Sequence, residues 1–129
     1  MLELDRIKKI ETFKLDKNLR KLKYIKMCIR DRAYTSYYKE GKVTIQDESS
    51  QLVARLSDPQ KTDYVIDMCS APGSKTTHIA ALMENQGKIE AYDLYKHKVK
   101  SIQHNLKRSG VKNVHVQAGD STKLIERCV

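Results

Sequence analysis

The chain has no tryptophan, and only 40% of its 129 residues are hydrophobic, so its core is thin and its length admits one modest domain. No stretch approaches the ~18 consecutive apolar residues that a membrane helix needs. The N-terminus alternates lysine with leucine and isoleucine and has no apolar h-region, so no secretory signal is visible. The three cysteines are odd in number and never spaced C-x-x-C, which argues against a disulfide framework and a zinc site. A protein of the reducing cytoplasm, with no membrane and no metal, is the expectation. Internal repeats and low-complexity segments are also missing.

Basic charge is what the chain has in excess, with a net charge of +9. Such a surplus invites a nucleic-acid partner. Its distribution is uneven: residues 1–32 hold 11 Lys/Arg against 5 Asp/Glu, and residues 33–129 hold 14 against 11. Most of the surplus therefore sits in the first quarter.

That quarter is set apart from the rest. Residues 1–26 can form an amphipathic helix, with Leu15, Leu19 and Leu22 on one side and a basic, solvated face. "MCIRDR" (27–32) then interrupts the pattern with no turn chemistry, and the chain closes on "RCV" (127–129). Both stretches read as translations, in two frames, of one transposon end used in sequencing libraries. We treat them as adapter-derived and set them aside before reasoning about fold. That removes Cys28 and Cys128 from the chemistry and leaves Cys69.

From Ala33 onward the local signals agree. A lead-in (33–62) holds "KVTIQ" (42–46), which alternates like a short strand, and "DESSQLVARLS" (47–57), a capped helix with Leu52, Val53 and Leu56 on one face. Residues 63–126 follow as a second region. "YVIDM" (64–68) is a short apolar strand. A helix from Lys75 groups Ile79, Leu82 and Met83, and "ENQG" ends it. "KIEAYD" (88–93) is a second strand, residues 94–110 a helix burying Val99, Ile102 and Leu106, and "NVHVQAGD" (113–120) a third strand. Strand and helix alternate as βαβαβ, half of a doubly wound parallel sheet that stops after its third strand, a Rossmann-like α/β fold.

Ligands of such sheets bind at the carboxyl ends of the strands. Those ends carry Asp67 to Gly73, then Asp93, then Asp120. Asp93 lies 20 residues after Gly73, the spacing at which a second-strand acid reaches the ribose of a nucleoside held by the first loop. Each acid taken alone could equally be a helix cap.

"DMCSAPGSKTTH" (67–78) supplies that loop. A phosphate loop has lysine directly after its second glycine. Here Ser74 separates Gly73 from Lys75, and Asp67 or Met68 stands where the first glycine belongs. The dinucleotide fingerprint G-x-G-x-x-G is absent too. A loop with one proline and one glycine instead suits a cofactor without phosphate, S-adenosyl-L-methionine, which asks for close backbone groups at its methionine end and an acid at its ribose.

"DMCSAPGSKTTHIAALM" resembles motif I of the RNA cytosine-5 methyltransferases, whose usual form is D-x-C-A-A-P-G-G-K-T. "GKVTIQDESSQLVA" and "KIEAYDLYKHKVKSIQHNLKRSGVKNV" continue the likeness over about residues 34–125, most of all to the RsmB/Sun type that acts on 16S rRNA. The resemblance implies an S-adenosylmethionine-dependent Rossmann-like fold and an rRNA substrate. It implies that Cys69, Ser70, Ala71, Pro72, Gly73, Ser74 and Lys75 line the methionine end, that Asp93 binds the ribose, and that Asp120 lies beside the adenine. It departs at Ser70 and Ser74, where the family has Ala and Gly. Ser74 adds a Cβ where a glycine would allow positive φ or close backbone approach, so a weakened cofactor loop is expected.

Methylating carbon 5 of cytosine needs a thiolate that attacks carbon 6. The family uses cysteines in a Pro-Cys and a Thr-Cys motif beyond the third strand, and neither dipeptide occurs here. The resemblance places Cys69 in the cofactor loop, so no residue of this chain is expected to be catalytic. Two other readings stay open: a P-loop-like nucleotide binder, and a non-catalytic basic RNA-binding module in which Tyr34, Tyr37 and Tyr38 would stack on bases. The histidines His78, His97, His104 and His115 lie on separate elements and read as surface or packing residues.

Overall fold

The computed structural model describes residues 35–127, which fall into two units divided between Ile45 and Gln46. The helix expected over residues 1–26 and the adapter-derived readings of residues 27–32 and 128–129 lie outside the described residues.

In the first unit, α1 (Ser36–Lys39) starts at Thr35, whose hydroxyl accepts from the Tyr38 amide at 3.3 Å. The strand expected at 42–46 does not form. The amides of Lys42 and Val43 both donate to the Tyr37 carbonyl, at 2.9 and 3.3 Å, and close the turn after α1 instead of entering a ladder. Tyr37 is exposed with the Lys42 ammonium 5.9 Å from its ring centre, so its face meets a lysine.

The second unit carries the sheet. Helix α2 (Glu48–Leu56) is capped by Asp47, whose carboxylate accepts from the Ser49 amide at 3.1 Å. Its buried face is not the expected one. Leu52, Val53 and Leu56 are exposed, and Ala54 is fully buried in one cluster with Ile79 and Ala80. A small side chain there lets α2 approach the next helix closely, which turns the larger apolar residues outward.

Strands β1 (Tyr64–Asp67), β2 (Lys88–Asp93) and β3 (Val114–Ala118) form a parallel sheet in the order β1-β2-β3. The register pairs Asp93 with Ala118, so β2 and β3 end together, and Asp67 with Ala91, so β1 ends two residues earlier on the same side. Between them run α3 (Ser74–Leu82) and α4 (Lys96–Arg108). This is the βαβαβ arrangement that the alternation of elements predicts. A 3-10 helix at Ser121–Arg127 follows β3.

Helix α3 is sandwiched: Thr76, Thr77, His78, Ile79 and Ala80 are buried in succession. Ile79 and Met83 are buried as expected, and Leu82 packs against the same cluster. On α4, Ile102 and Leu106 are buried and Val99 is half-buried. Met83, Ile89 and Ile102 are the largest apolar side chains fully removed from water, each stabilising the fold by about 1.5–3 kcal/mol. The turn after α3 holds Glu84 and Asn85 at positive φ and ends on Gly87 at φ 64.

Candidate cofactor-binding site

The site is assembled where the three strands end. Asp67 closes β1 and receives two donors. The Cys69 amide reaches one carboxylate oxygen at 3.3 Å and the Thr76 hydroxyl, from the first turn of α3, reaches the other at 2.6 Å. One side chain thus ties the start of the loop to the helix that follows it. Thr76 was invisible as a site residue in the sequence, because the tie exists only once the loop has folded back.

Ser70 is 3% exposed and anchors the loop on β2. Its amide and its hydroxyl both donate to the Tyr92 carbonyl, at 2.9 and 2.8 Å. The Ala71 amide then donates to Asp93 at 3.3 Å. Ala71–Pro72 is a cis peptide, and the Pro72 carbonyl accepts from the Asn105 side chain at 2.8 Å. Gly73 donates to the Ser70 carbonyl at 2.5 Å and caps α3 at φ 98. A Cβ on Gly73 would lie 3.3 Å from Ile102 Cγ2, so the glycine is needed both for its left-handed φ and for the contact with α4.

Ser74 does not occupy a left-handed position. It is the first residue of α3, and the positive φ belongs to Gly73 before it. The positive φ considered for this position is absent, and an ordinary helical residue fits there. Lys75 is exposed in the first turn, and Cys69 is an exposed free thiol.

Asp93 ends β2 and is 3% exposed. Besides Ala71, it accepts from the Tyr95 amide at 3.1 Å, while its backbone carbonyl accepts from Gly119 at 3.0 Å. Each carboxylate oxygen keeps a lone pair beyond these bonds. Asp120 follows β3 and is exposed. One of its oxygens accepts from the Thr122 hydroxyl at 2.6 Å and from the Thr122 amide at 3.1 Å. The hydroxyl bond, then the amide, holds its pKa below the usual aspartate value. Ser121 donates to the Met68 carbonyl at 2.9 Å and so links the end of β3 to the first loop. The loop, Asp93 and the segment after β3 are therefore joined by direct bonds, as the strand-end register anticipates.

The histidines stay outside this assembly. His78 is buried in the α2–α3 packing, with Nδ1 3.1 Å from Gln46 Oε1, and burial followed by Arg55 lowers its pKa. His97, His104 and His115 are exposed. Among the described residues no group of three or more His, Cys, Asp or Glu is placed to hold a metal ion.

The loop ahead of α3 offers no run of free amides. Those of Cys69, Ser70, Ala71 and Gly73 all donate to protein acceptors, and Pro72 has none. A phosphate nest needs consecutive amides free to point at the ligand.

Comparison with known proteins agrees. The family model for 16S rRNA methyltransferase RsmB/F matches residues 54–129. The chain belongs to the RsmB/F methyltransferase family. It is 47% identical over 91 residues to the "Probable ribosomal RNA small subunit methyltransferase B" of Bacillus subtilis (strain 168), covering 70% of this chain and 20% of that protein. It is 44% identical over 87 residues to the tRNA (cytosine(72)-C(5))-methyltransferase of Pyrococcus horikoshii, covering 67% of this chain and 22% of that one. The structure of NSun6 from Pyrococcus horikoshii with SFG superposes with a TM-score of 0.71 at 40% identity, over 73% of this chain and 24% of that chain. The RsmB/F chain described here thus spans about a fifth of the length of these curated relatives. Its sheet is the first part of the Rossmann-like methyltransferase fold.

Proposed function

We propose that this chain is the cofactor-binding part of an S-adenosylmethionine-dependent RNA cytosine-5 methyltransferase acting on 16S rRNA, with residues 33–62 as lead-in and 63–126 as the cofactor half of the catalytic domain. The observation that carries it is the Gly73-capped loop whose Ala71 amide bonds the buried strand-end acid Asp93. The cytoplasm is the compartment that fits a chain with a free, exposed Cys69.

The residues present fit such a cofactor. The carbonyls of Cys69 and Ala71 accept no bond among the described residues, and they suit an ammonium group. The amides of Ser74 and Lys75 open α3 with no intrahelical acceptor, and they suit a carboxylate. A loop that offers carbonyls on one side and helix amides on the other matches an amino-acid end. The remaining lone pairs of Asp93 suit a ribose diol. When bound, S-adenosylmethionine supplies an electrophilic methyl group. The attacking thiolate belongs to Pro-Cys and Thr-Cys motifs that this sequence does not contain, and Cys69 sits in the cofactor loop.

Isothermal titration of the chain with S-adenosylhomocysteine and, separately, with ATP tests the reading. Saturable binding of S-adenosylhomocysteine and none of ATP is expected. ATP binding with no response to S-adenosylhomocysteine would replace this function with a nucleotide-binding one.

A further inference from the structure

We propose that the solvent face of α4 is a phosphate-contacting surface for a single RNA strand. The inference rests on the RNA substrate of the preceding reading and adds to it a docking surface with named residues.

Charge in the second unit is segregated along the chain. Residues 46–93 hold eight Asp/Glu against four Lys/Arg, whereas residues 94–119 hold no acid at all and six Lys/Arg. Lys96, Lys100, His104 and Lys107 follow one another at i, i+4, i+8 and i+11 and are all exposed. That spacing forms one stripe on the helix, turned away from buried Ile102 and Leu106. The stripe runs for roughly 16 Å along the helix axis. Lys98, also exposed, lies with its ammonium 4.8 Å from the ring centre of exposed Tyr95 at the start of the same helix.

Lys96, Lys98 and Lys100 are placed against the interests of the helix, whereas Lys107 stands in the last turn, where a cation is favoured. The amino end of a helix is its positive pole, and acids are favoured there. In α4 the first turn has no acid, and Lys96 and Lys98 stand in it. Tyr95 at the N-cap supplies no side-chain bond. Lys96 and Lys100 form a like-charge i,i+4 pair, which destabilises a helix further. None of Lys96, Lys98, Lys100 or Lys107 meets a carboxylate among the described residues, while Lys61 and Lys88 are paired with Glu84 and Glu90. Lysines serving only solubility would gain by sitting at the carboxyl end or beside acids. A local rule broken this way, with no partner inside the fold, marks a surface kept for an outside one. The partner that fits is a polyanion with charge repeated along its length, and the fold places this stripe on the helix that starts directly after Asp93.

The test uses the full chain and the variant K96Q/K100Q/K107Q, with K61Q/K88Q as a control. Binding of a fluorescein-labelled single-stranded oligocytidine RNA is followed by anisotropy across a salt series. The triple variant should bind at least about tenfold more weakly at low salt. Its plot of log affinity against log salt should be shallower by about 2, since each phosphate contact to a single strand contributes about 0.7. The control should stay within about threefold of the wild type, and the melting temperature of the triple variant should stay close to the wild-type value, because the penalties at Lys96 and Lys100 are removed together with the favourable last-turn placement of Lys107. A triple variant with wild-type affinity and slope, or one that loses no more than the control, overturns the proposal. Titration of the same proteins with S-adenosylhomocysteine separates the two readings. Normal cofactor binding with unchanged RNA binding removes the α4 surface alone. Absent cofactor binding with an RNA loss confined to the triple variant removes the cofactor reading and leaves the surface.

Discussion

The hydroxyl of Ser70 donates to the carbonyl of Tyr92 at 2.8 Å, and the amide of the same serine reaches that carbonyl at 2.9 Å. One strand carbonyl therefore holds the cofactor loop twice. Ser70→Ala removes a single buried bond but leaves the carbonyl satisfied by the amide. The expected cost is about 1 kcal/mol or less, at the low end for a hydrogen bond with no orphaned partner. Urea unfolding of the two proteins checks this, and a loss above about 2 kcal/mol would mean that the hydroxyl does more than tether the loop.

Two glycines at nearly the same φ should respond differently to alanine. Gly87 (φ 64) would place a Cβ 2.5 Å from the Asp63 carbonyl and 2.8 Å from that of Lys61. Gly110 (φ 67) has nothing within 4 Å. Gly110→Ala should cost only the left-handed conformation, about 1–2 kcal/mol. Gly87→Ala adds a clash with two backbone carbonyls that cannot swing away, so its melting temperature should fall clearly further. Equal losses in the two variants would contradict the packing of the α3–β2 turn.

Glu90 predicts an acid transition. The Tyr92 hydroxyl at 2.6 Å, then the Lys88 ammonium at 2.9 Å, then Tyr64 hold its pKa down to about 2 from the usual 4.5. Because the folded value lies below the unfolded one, this carboxylate stabilises the fold above about 4.5, and the contribution disappears as pH falls toward about 2. Glu90→Gln should flatten the melting temperature over that window. A wild-type profile that is already flat there would place Glu90 outside the Tyr92–Lys88 network.

The order of elements was legible because each local signal agreed with its neighbours. Alternation in "KIEAYD" and Gly110 after "LKRS" marked the bounds of β2 and α4 to within two residues. The loop was legible as well, since a Pro-Gly pair between a strand and a helix leaves few conformations. Two expectations failed, one to a local turn and one to packing. Alternation at 42–46 cannot make a strand when Lys42 and Val43 turn back on Tyr37. Periodicity at Leu52, Val53 and Leu56 cannot choose the buried face when close approach to α3 selects Ala54. The ties Asp67–Thr76 and Ser121–Met68 were not legible, because hydroxyls of Ser and Thr carry no pattern until their acceptors are placed.

In the proposed function Asp93 serves a bound nucleoside as well as the loop, and one titration tests this. Asp93→Ala and Asp93→Asn, made in this chain, are titrated with S-adenosylhomocysteine while their melting temperatures are recorded. Hydrogen bonds to a charged acceptor contribute about 1.5–3 kcal/mol each, so the alanine variant should bind at least about tenfold more weakly. The asparagine variant keeps one acceptor and should lose less. An Asp93→Ala protein with a lowered melting temperature and an unchanged dissociation constant would remove the ribose role and leave Asp93 only its bonds to the Ala71 and Tyr95 amides.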